Sequence, residues 1–166
     1  MMDDRSIKEK ASHIRMLVLD VDGTLTDGGV YIDTHGVQSK KFNIRDGMGI
    51  KLLQEKGLEV AFLSHSRSTP ILDERARMLD LKYVYGGKEP KVDVLKRWLT
   101  ELELSADQIA FIGDDVNDIE IMSMVGLTAC PADAHYRVVR VADVVLQRNG
   151  GEGCVREFID RFLLPV

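Results

Sequence analysis

The stretch Met16–Gly29, MLVLDVDGTLTDGG, runs an unbroken apolar tetrad into two aspartates one residue apart. Hydrophobicity that is continuous rather than alternating marks a strand buried on both faces, as in a parallel sheet. Asp20 and Asp22 then fall at the end of that strand, on the same side of the chain. Like charges so placed repel, and removing them from water is costly, so the pair calls for a cation beside it.

Further apolar runs repeat the pattern: EVAFLS (59–64), KYVYGG (82–87), IAFIGD (109–114), LTAC (127–130) and DVVLQ (143–147). Amphipathic segments separate them. DGMGIKLLQEKG carries Ile50, Leu52 and Leu53 as its apolar stripe and ends at Gly57, a natural helix stop. STPILDERARML offers Ser68 or Thr69 as N-cap with Pro70 at the first helical position. EPKVDVLKRWLTELEL spaces Val92, Leu95, Leu99 and Leu102 on one face, and NDIEIMSMVG and EGCVREFIDRFLL are two more helices. Strand–helix alternation implies an α/β fold with a Rossmann-like, doubly wound parallel sheet. The exception is GGVYIDTHGVQSKKFNI, whose β-rich arms surround an Asp- and Gly-containing turn. It is expected to form a small β-hairpin flap over about 29–43, in a single domain spanning 1–166 without a large cap domain.

The chain is long enough for one well-buried core, and its 45% hydrophobic and 30% charged residues are ordinary for a globular protein. A net charge of −5 with no basic block argues against nucleic acid as the main partner. No apolar run is long enough to span a membrane, and the polar N-terminus lacks a signal-peptide core, which together suggest a cytoplasmic protein. Cys130 and Cys154 have no metal-ligand spacing and read as buried free thiols.

In a parallel sheet the carboxyl ends of the strands share one edge, where α/β proteins bind ligands. That edge collects Asp20, Asp22, Ser64, Lys91, Asp114 and Asp115. Hard oxygen donors suit Mg²⁺, which would neutralise the carboxylates. A metal, a nucleophilic carboxylate and a lysine suit phosphoryl transfer through an aspartyl-phosphate. A second carboxylate two residues on is able to protonate the leaving alkoxide and then activate water. Glycines in DGT and GDD, Gly23 among them, leave backbone N–H groups close to phosphate oxygens. A cation at a helix N-terminus is slightly unfavourable, so Lys91 is better explained by function than by surface charge.

DVDGTLTDGG, Ser64, Lys91 and GDDVND resemble, in order and spacing, the four motifs of the haloacid dehalogenase-like phosphatases. The resemblance makes Asp20 the nucleophile, Asp22 the general acid/base, Ser64 a phosphate ligand and Lys91 the charge-balancing lysine. It makes Asp114 a Mg²⁺ ligand beside the Asp20 carboxylate and the Asp22 backbone carbonyl. Asp115 is expected near the metal, and Asp118 to orient the lysine or a metal-bound water. DVDGTLTDGGVYID, KKFNIRDGMGIKLL, FIGDDVNDIEIM and QRNGGEGCVREF are similar to the small-cap branch acting on phosphorylated eight- or nine-carbon sugar acids. That branch implies a homotetramer whose hairpins pack together and whose active sites are completed between subunits.

The second motif departs from the branch: SHSRS places His65 and Ser66 where a glycine and an arginine are usual, with Arg67 displaced by one position. Arg67 and Arg45 are candidates for a sugar-acid carboxylate, since that group suits bidentate arginine. His65 is either an incidental loop residue or a substrate contact, while His13, His35 and His135 read as structural or exposed. Tyr31, Tyr83 and Tyr85 read as ordinary strand residues. The NGGEGCVRE segment is either a loop entering a helix or part of site closure. The expected activity is hydrolysis of 3-deoxy-D-manno-octulosonate 8-phosphate, with a nonulosonate 9-phosphate as the alternative. A non-catalytic module of sugar-nucleotide synthesis is disfavoured because every catalytic position is filled. A receiver-like domain is disfavoured because both acids of the pair share one strand end.

Overall fold

A computed structural model describes residues 4–66 and 69–164. Its main sheet has six parallel strands: β1 (Met16–Leu19), β4 (Glu59–Ser64), β5 (Tyr83–Gly86), β6 (Ile109–Ile112), β7 (Leu127–Cys130) and β8 (Val144–Val145). A separate antiparallel pair, β2 (Tyr31–Ile32) and β3 (Gln38–Ser39), forms the flap. The strand order β5-β4-β1-β6-β7-β8 winds outward in both directions from β1. Leu17 pairs with Val60 on one side and Ala110 on the other, so β1 is central and every residue of it is buried. The order reverses between β1 and β6, and such a switch point opens a crevice outside the strand ends.

Helices cover both faces. α1 (Asp4–His13), α2 (Ile44–Glu55), α3 (Thr69–Met78) and α7 (Cys154–Phe158) pack on one face, where Leu17, Leu19, Ile50, Leu53, Phe62, Leu72 and Phe158 form one core. α4 (Lys91–Leu102), α5 (Ile119–Met122) and α6 (Tyr136–Val139) pack on the other, around Met16, Val18, Leu63, Leu95 and Phe111. Alternate β1 residues thus feed two cores, which is why the strand is apolar throughout. Gly57 ends α2 at φ +81°, with Gly57 N–H bonded to the Gln54 carbonyl and Leu58 N–H to that of Leu53. Cys130 and Cys154 are buried free thiols.

Several expectations are adjusted. The polar N-terminal segment forms α1, because Ile7, Ala11 and Ile14 recur at helical spacing and bury against the core. NDIEIMSMVG is a 3₁₀ turn (Val116–Asp118) followed by only the short α5, because Asp115 and Asp118 fold back to cap the turn. EGCVREFIDRFLL begins as α7 and widens to a π-turn over Ile159–Leu163. DVVLQ contributes only Val144–Val145 to the sheet edge. Tyr31 is 64% exposed on the flap rather than packed as a core strand residue. The proposed cap Ser68 lies outside the described residues, and Thr69 already belongs to α3. Among the described residues no helix is long and apolar enough to cross a membrane.

Candidate active site

The strand ends deliver the acidic residues as a rigid set. Asp20 follows β1, and its N–H still bonds the Ile112 carbonyl of β6 at 2.9 Å. Its carboxylate is buried, with Oδ1 2.5 Å from Lys91 Nζ. The same ammonium donates to Asp118 Oδ1 at 2.6 Å. The other Asp118 oxygen accepts the N–H of Asp114 at 3.0 Å and of Asp115 at 3.3 Å. Asp118 therefore ties the turn after β6 to the lysine that opens α4.

Oxygens of Asp20, Asp114 and Asp118 come within 4.8 Å of one another. Burial pushes Asp20 well above the usual carboxylate range; Lys91 opposes this, and the nearby Asp118 and Asp114 add to it. Burial and then Asp118 push Asp114 up to about 6. Burial alone would lower Lys91, but Asp20 and Asp118 outweigh it and raise its pKa. Three crowded carboxylates facing one ammonium form a hard-oxygen donor set that a divalent cation fits, because it favours their ionised forms.

Gly23 makes the crowding sterically possible. Its φ is +90°, and a Cβ there would meet Asp114 Oδ2 at 2.1 Å. The Gly23 N–H donates to Thr26 Oγ1 at 3.3 Å, so among the described contacts it is engaged within its own loop. Buried Thr24 donates to Asp114 Oδ1 at 3.3 Å. Behind this loop lies the glycine segment after β8. Gly151 N–H bonds the Thr24 carbonyl at 3.0 Å, and a Cβ on Gly150 would fall 1.8 Å from the Gly23 carbonyl oxygen. Two backbones in such contact exclude any larger residue.

A cleft of about 260 Å³ opens onto Asp20, Asp22, Ser64, His65, Ser66, Asp115 and Asn117. Ser64 Oγ accepts the Ser66 N–H at 3.0 Å. His65 Nε2 lies 3.0 Å from the Glu89 carbonyl, which only accepts, so that nitrogen is the donor of the contact that holds the imidazole at the rim. Asp115 Oδ1 accepts Val116 N–H at 2.7 Å, and Asp115 lies outside the tight carboxylate cluster. Asp22 is also outside it; its carboxylate pairs with Lys40 Nζ at 2.5 Å.

The cleft thus gathers Asp20, Asp22, Ser64 and Asp115, with Lys91, Asp114 and Asp118 around its floor. Arg45 is not among them. It lines a separate cleft of about 470 Å³ with Arg148, Arg156 and Arg161. Arg67 lies outside the described residues. Lys40, Thr24 and Asn117 are not singled out by the sequence, which marks Ser66 only as a departure from the branch pattern. Lys40 carried a signal, as a basic residue on the arm of a flap over an acidic site.

The haloacid dehalogenase-like hydrolase family model matches residues 83–159. The chain is 38% identical over 156 residues to the 3-deoxy-D-manno-octulosonate 8-phosphate phosphatase KdsC of Yersinia pestis, covering 94% of this chain and 83% of that protein. A crystal structure of the Yersinia pestis phosphatase superposes with a TM-score of 0.92 at 37% identity, over 96% of this chain and 85% of the other. The corresponding phosphatase of Moraxella catarrhalis, solved with a magnesium ion, a phosphate ion and KDO, gives a TM-score of 0.91 at 28% identity, over 95% and 90% of the two chains.

Proposed function

Because the chain belongs to the haloacid dehalogenase-like hydrolases, in the branch of the 3-deoxy-D-manno-octulosonate 8-phosphate phosphatases, we propose that it hydrolyses a phosphorylated sugar acid, 3-deoxy-D-manno-octulosonate 8-phosphate, with Mg²⁺. The observation that carries this reading is the buried Asp20–Lys91–Asp118 bridge beside Asp114 at the strand ends. A structural ion pair has no need of three crowded carboxylates, whereas phosphoryl transfer needs a nucleophile and fixed positive charge in one dry site.

Asp20 attacks phosphorus, forming an Asp20–O–P bond as the bond to the sugar oxygen breaks. Asp22 gives a proton to the departing oxygen, then removes one from the water that attacks the phosphorylated Asp20. Inorganic phosphate leaves and the Asp20 carboxylate is restored. Lys91 offsets charge on Asp20 and the transferring group, and Ser64 supplies a hydroxyl to a phosphate oxygen. Asp20, Asp114 and the Asp22 carbonyl would hold the Mg²⁺, with Asp118 orienting Lys91. The ion supplies electrostatic stabilisation of the phosphoryl oxygens when bound.

A nonulosonate 9-phosphate is the second reading, favoured by His65 and Ser66 at the cleft wall, where the loop departs from the branch pattern. The same proposal includes a cytoplasmic homotetramer with sites completed between subunits. Val30, Tyr31, Ile32 and Val37, 46–64% exposed on the flap, support such an assembly. Phosphate release from both sugar-acid phosphates, with Mg²⁺ and with Asp20→Asn as control, tests the activity. Wild-type turnover should favour the octulosonate ester, and the variant should lose it. Substantial turnover by Asp20→Asn rules out the aspartyl-phosphate route.

A further inference from the structure

Resting on the reading of the site as a sugar-acid phosphatase, we propose that Lys40 is the flap residue that binds the substrate's own carboxylate. It would thereby select sugar-acid phosphates over neutral sugar phosphates. From Asp27 through Ser39 every residue is exposed, and Lys40 is where that run ends. Its side chain is only 6% exposed, an unusual state for a lysine on a solvated hairpin. It turns inward across the cleft mouth, 2.5 Å from Asp22 Oδ1 and 3.4 Å from Ser66 Oγ.

Position assigns the side of the substrate that Lys40 meets. Asp22 handles the proton of the leaving oxygen, so an ammonium bonded to Asp22 stands beside the sugar rather than behind the phosphate. Charge gives the reason for a cation there. Five carboxylates surround the cleft and its floor (Asp20, Asp22, Asp114, Asp115 and Asp118); Lys91 is already held between two of them, and the Mg²⁺ of the proposed reaction would serve the phosphate end of the substrate. A substrate with a phosphate at one end and a carboxylate at the other would be repelled at the mouth without a further positive group. An ammonium has three donors, and Asp22 and Ser66 engage two of them. Among the described residues the third has no partner and is open to a ligand, and a carboxylate suits it better than a hydroxyl because the bond is charge-assisted.

The test compares kcat/KM for 3-deoxy-D-manno-octulosonate 8-phosphate and glucose 6-phosphate, using the full chain with Mg²⁺. Both esters have poor alkoxide leaving groups and need the same proton transfer, but only the first carries a carboxylate. Lys40→Met should reduce the preference for the sugar acid roughly 10- to 100-fold, mainly through KM. Lys40→Gln should do the same, which keeps the comparison open should one variant fold poorly, and Lys40→Arg should retain most of the preference. An unchanged ratio in both neutral variants overturns the proposal, whatever the absolute rates, because Lys40 then acts through Asp22 or the fold. A wild type that releases phosphate from neither ester rejects the phosphatase reading itself, a result that needs no Lys40 variant.

Discussion

The Asp46 carboxylate accepts the backbone N–H of Arg156 at 2.7 Å, fastening the first turn of α2 to the start of α7 across 110 residues of sequence. Gly153, the residue before α7, provides no side-chain cap, so Asp46 supplies from another helix what the local sequence lacks. The neighbouring Cys154 thiol bonds the Thr24 carbonyl at 3.3 Å, and Asn43 Nδ2 bonds the Gly151 carbonyl at 3.3 Å. The loop carrying Asp20 and Asp22 is thus braced from behind by a distant segment.

That brace carries a pH signature. Burial raises Asp46 to about 6, against an ordinary 3.8, although the Arg156 N–H and Arg75 oppose the shift, and its Oδ2 has no hydrogen-bond partner among the described residues. Between those two values the native state holds the proton more tightly than the unfolded chain. The stability from this group is therefore fully present below about pH 4 and is lost as pH rises through about 6, by at most about 3 kcal/mol. The melting temperature of wild type relative to Asp46→Asn should fall between pH 5 and pH 7.5. A difference independent of pH would show that Asp46 does not titrate in this window.

Lys91 is expected to be costly to remove on two counts. Lys91→Met leaves Asp20 and Asp118 buried with their shared ammonium gone, a change of about 3–5 kcal/mol in urea unfolding without added metal. Phosphate release should fall on the order of 10³-fold. Lys91→Met/Asp118→Asn removes one of the stranded charges, so it should recover part of the stability and none of the activity. Recovery of both would make the lysine structural.

The sequence marks this architecture well where one element suffices to reveal it. The apolar tetrad before Asp20 announces a doubly covered strand, and the four motifs fall at the ends of β1, β4 and β6 and the start of α4. What was not legible depends on contacts between distant segments. VQSKKF puts two lysines on the flap arm over an acidic site, but nothing local says which one turns inward: Lys40 does, while its neighbour Lys41 pairs at the surface with Glu152. Arg45 reads as a substrate ligand from its motif, and what the motif does not show is that the first turn of α2 sets it in a second cleft with Arg148, Arg156 and Arg161. The glycines after β8 read either as a loop entering a helix or as part of site closure, because the backbone they approach, at Gly23 and Thr24, lies more than a hundred residues earlier.

Gly23 and Gly36 separate backbone strain from steric exclusion. Both have positive φ, at +90° and +77°, but a Cβ on Gly36 meets nothing within 4 Å while one on Gly23 meets Asp114 Oδ2 at 2.1 Å. Gly36→Ala should cost only the left-handed backbone penalty, about 1–2 kcal/mol, with phosphate release intact. Gly23→Ala must displace Asp114, so it should lose activity well beyond its loss of stability and need more Mg²⁺ for half-maximal rate. Equal effects from the two substitutions would mean that the close approach of Gly23 to Asp114 has no part in the chemistry.

Asp20 and Asp114 also make metal binding measurable apart from turnover. A cation held by the native carboxylates but not by the unfolded chain stabilises the fold by an amount that grows with its concentration. Adding Mg²⁺ to metal-free protein should therefore raise the melting temperature in a saturable way. Asp114→Asn should blunt that rise, because it removes a charge from the tight cluster of Asp20, Asp114 and Asp118. Asp27→Asn, outside the cluster and paired at the surface with Lys41, should leave the rise unchanged. Exhaustive chelation should abolish phosphate release, and Mg²⁺ should restore it. Full activity after chelation would remove the metal from the reaction. A thermal shift that persists in Asp114→Asn would place the ion elsewhere on the protein, so the two readouts separate a cation that is required from one that is held by Asp20 and Asp114.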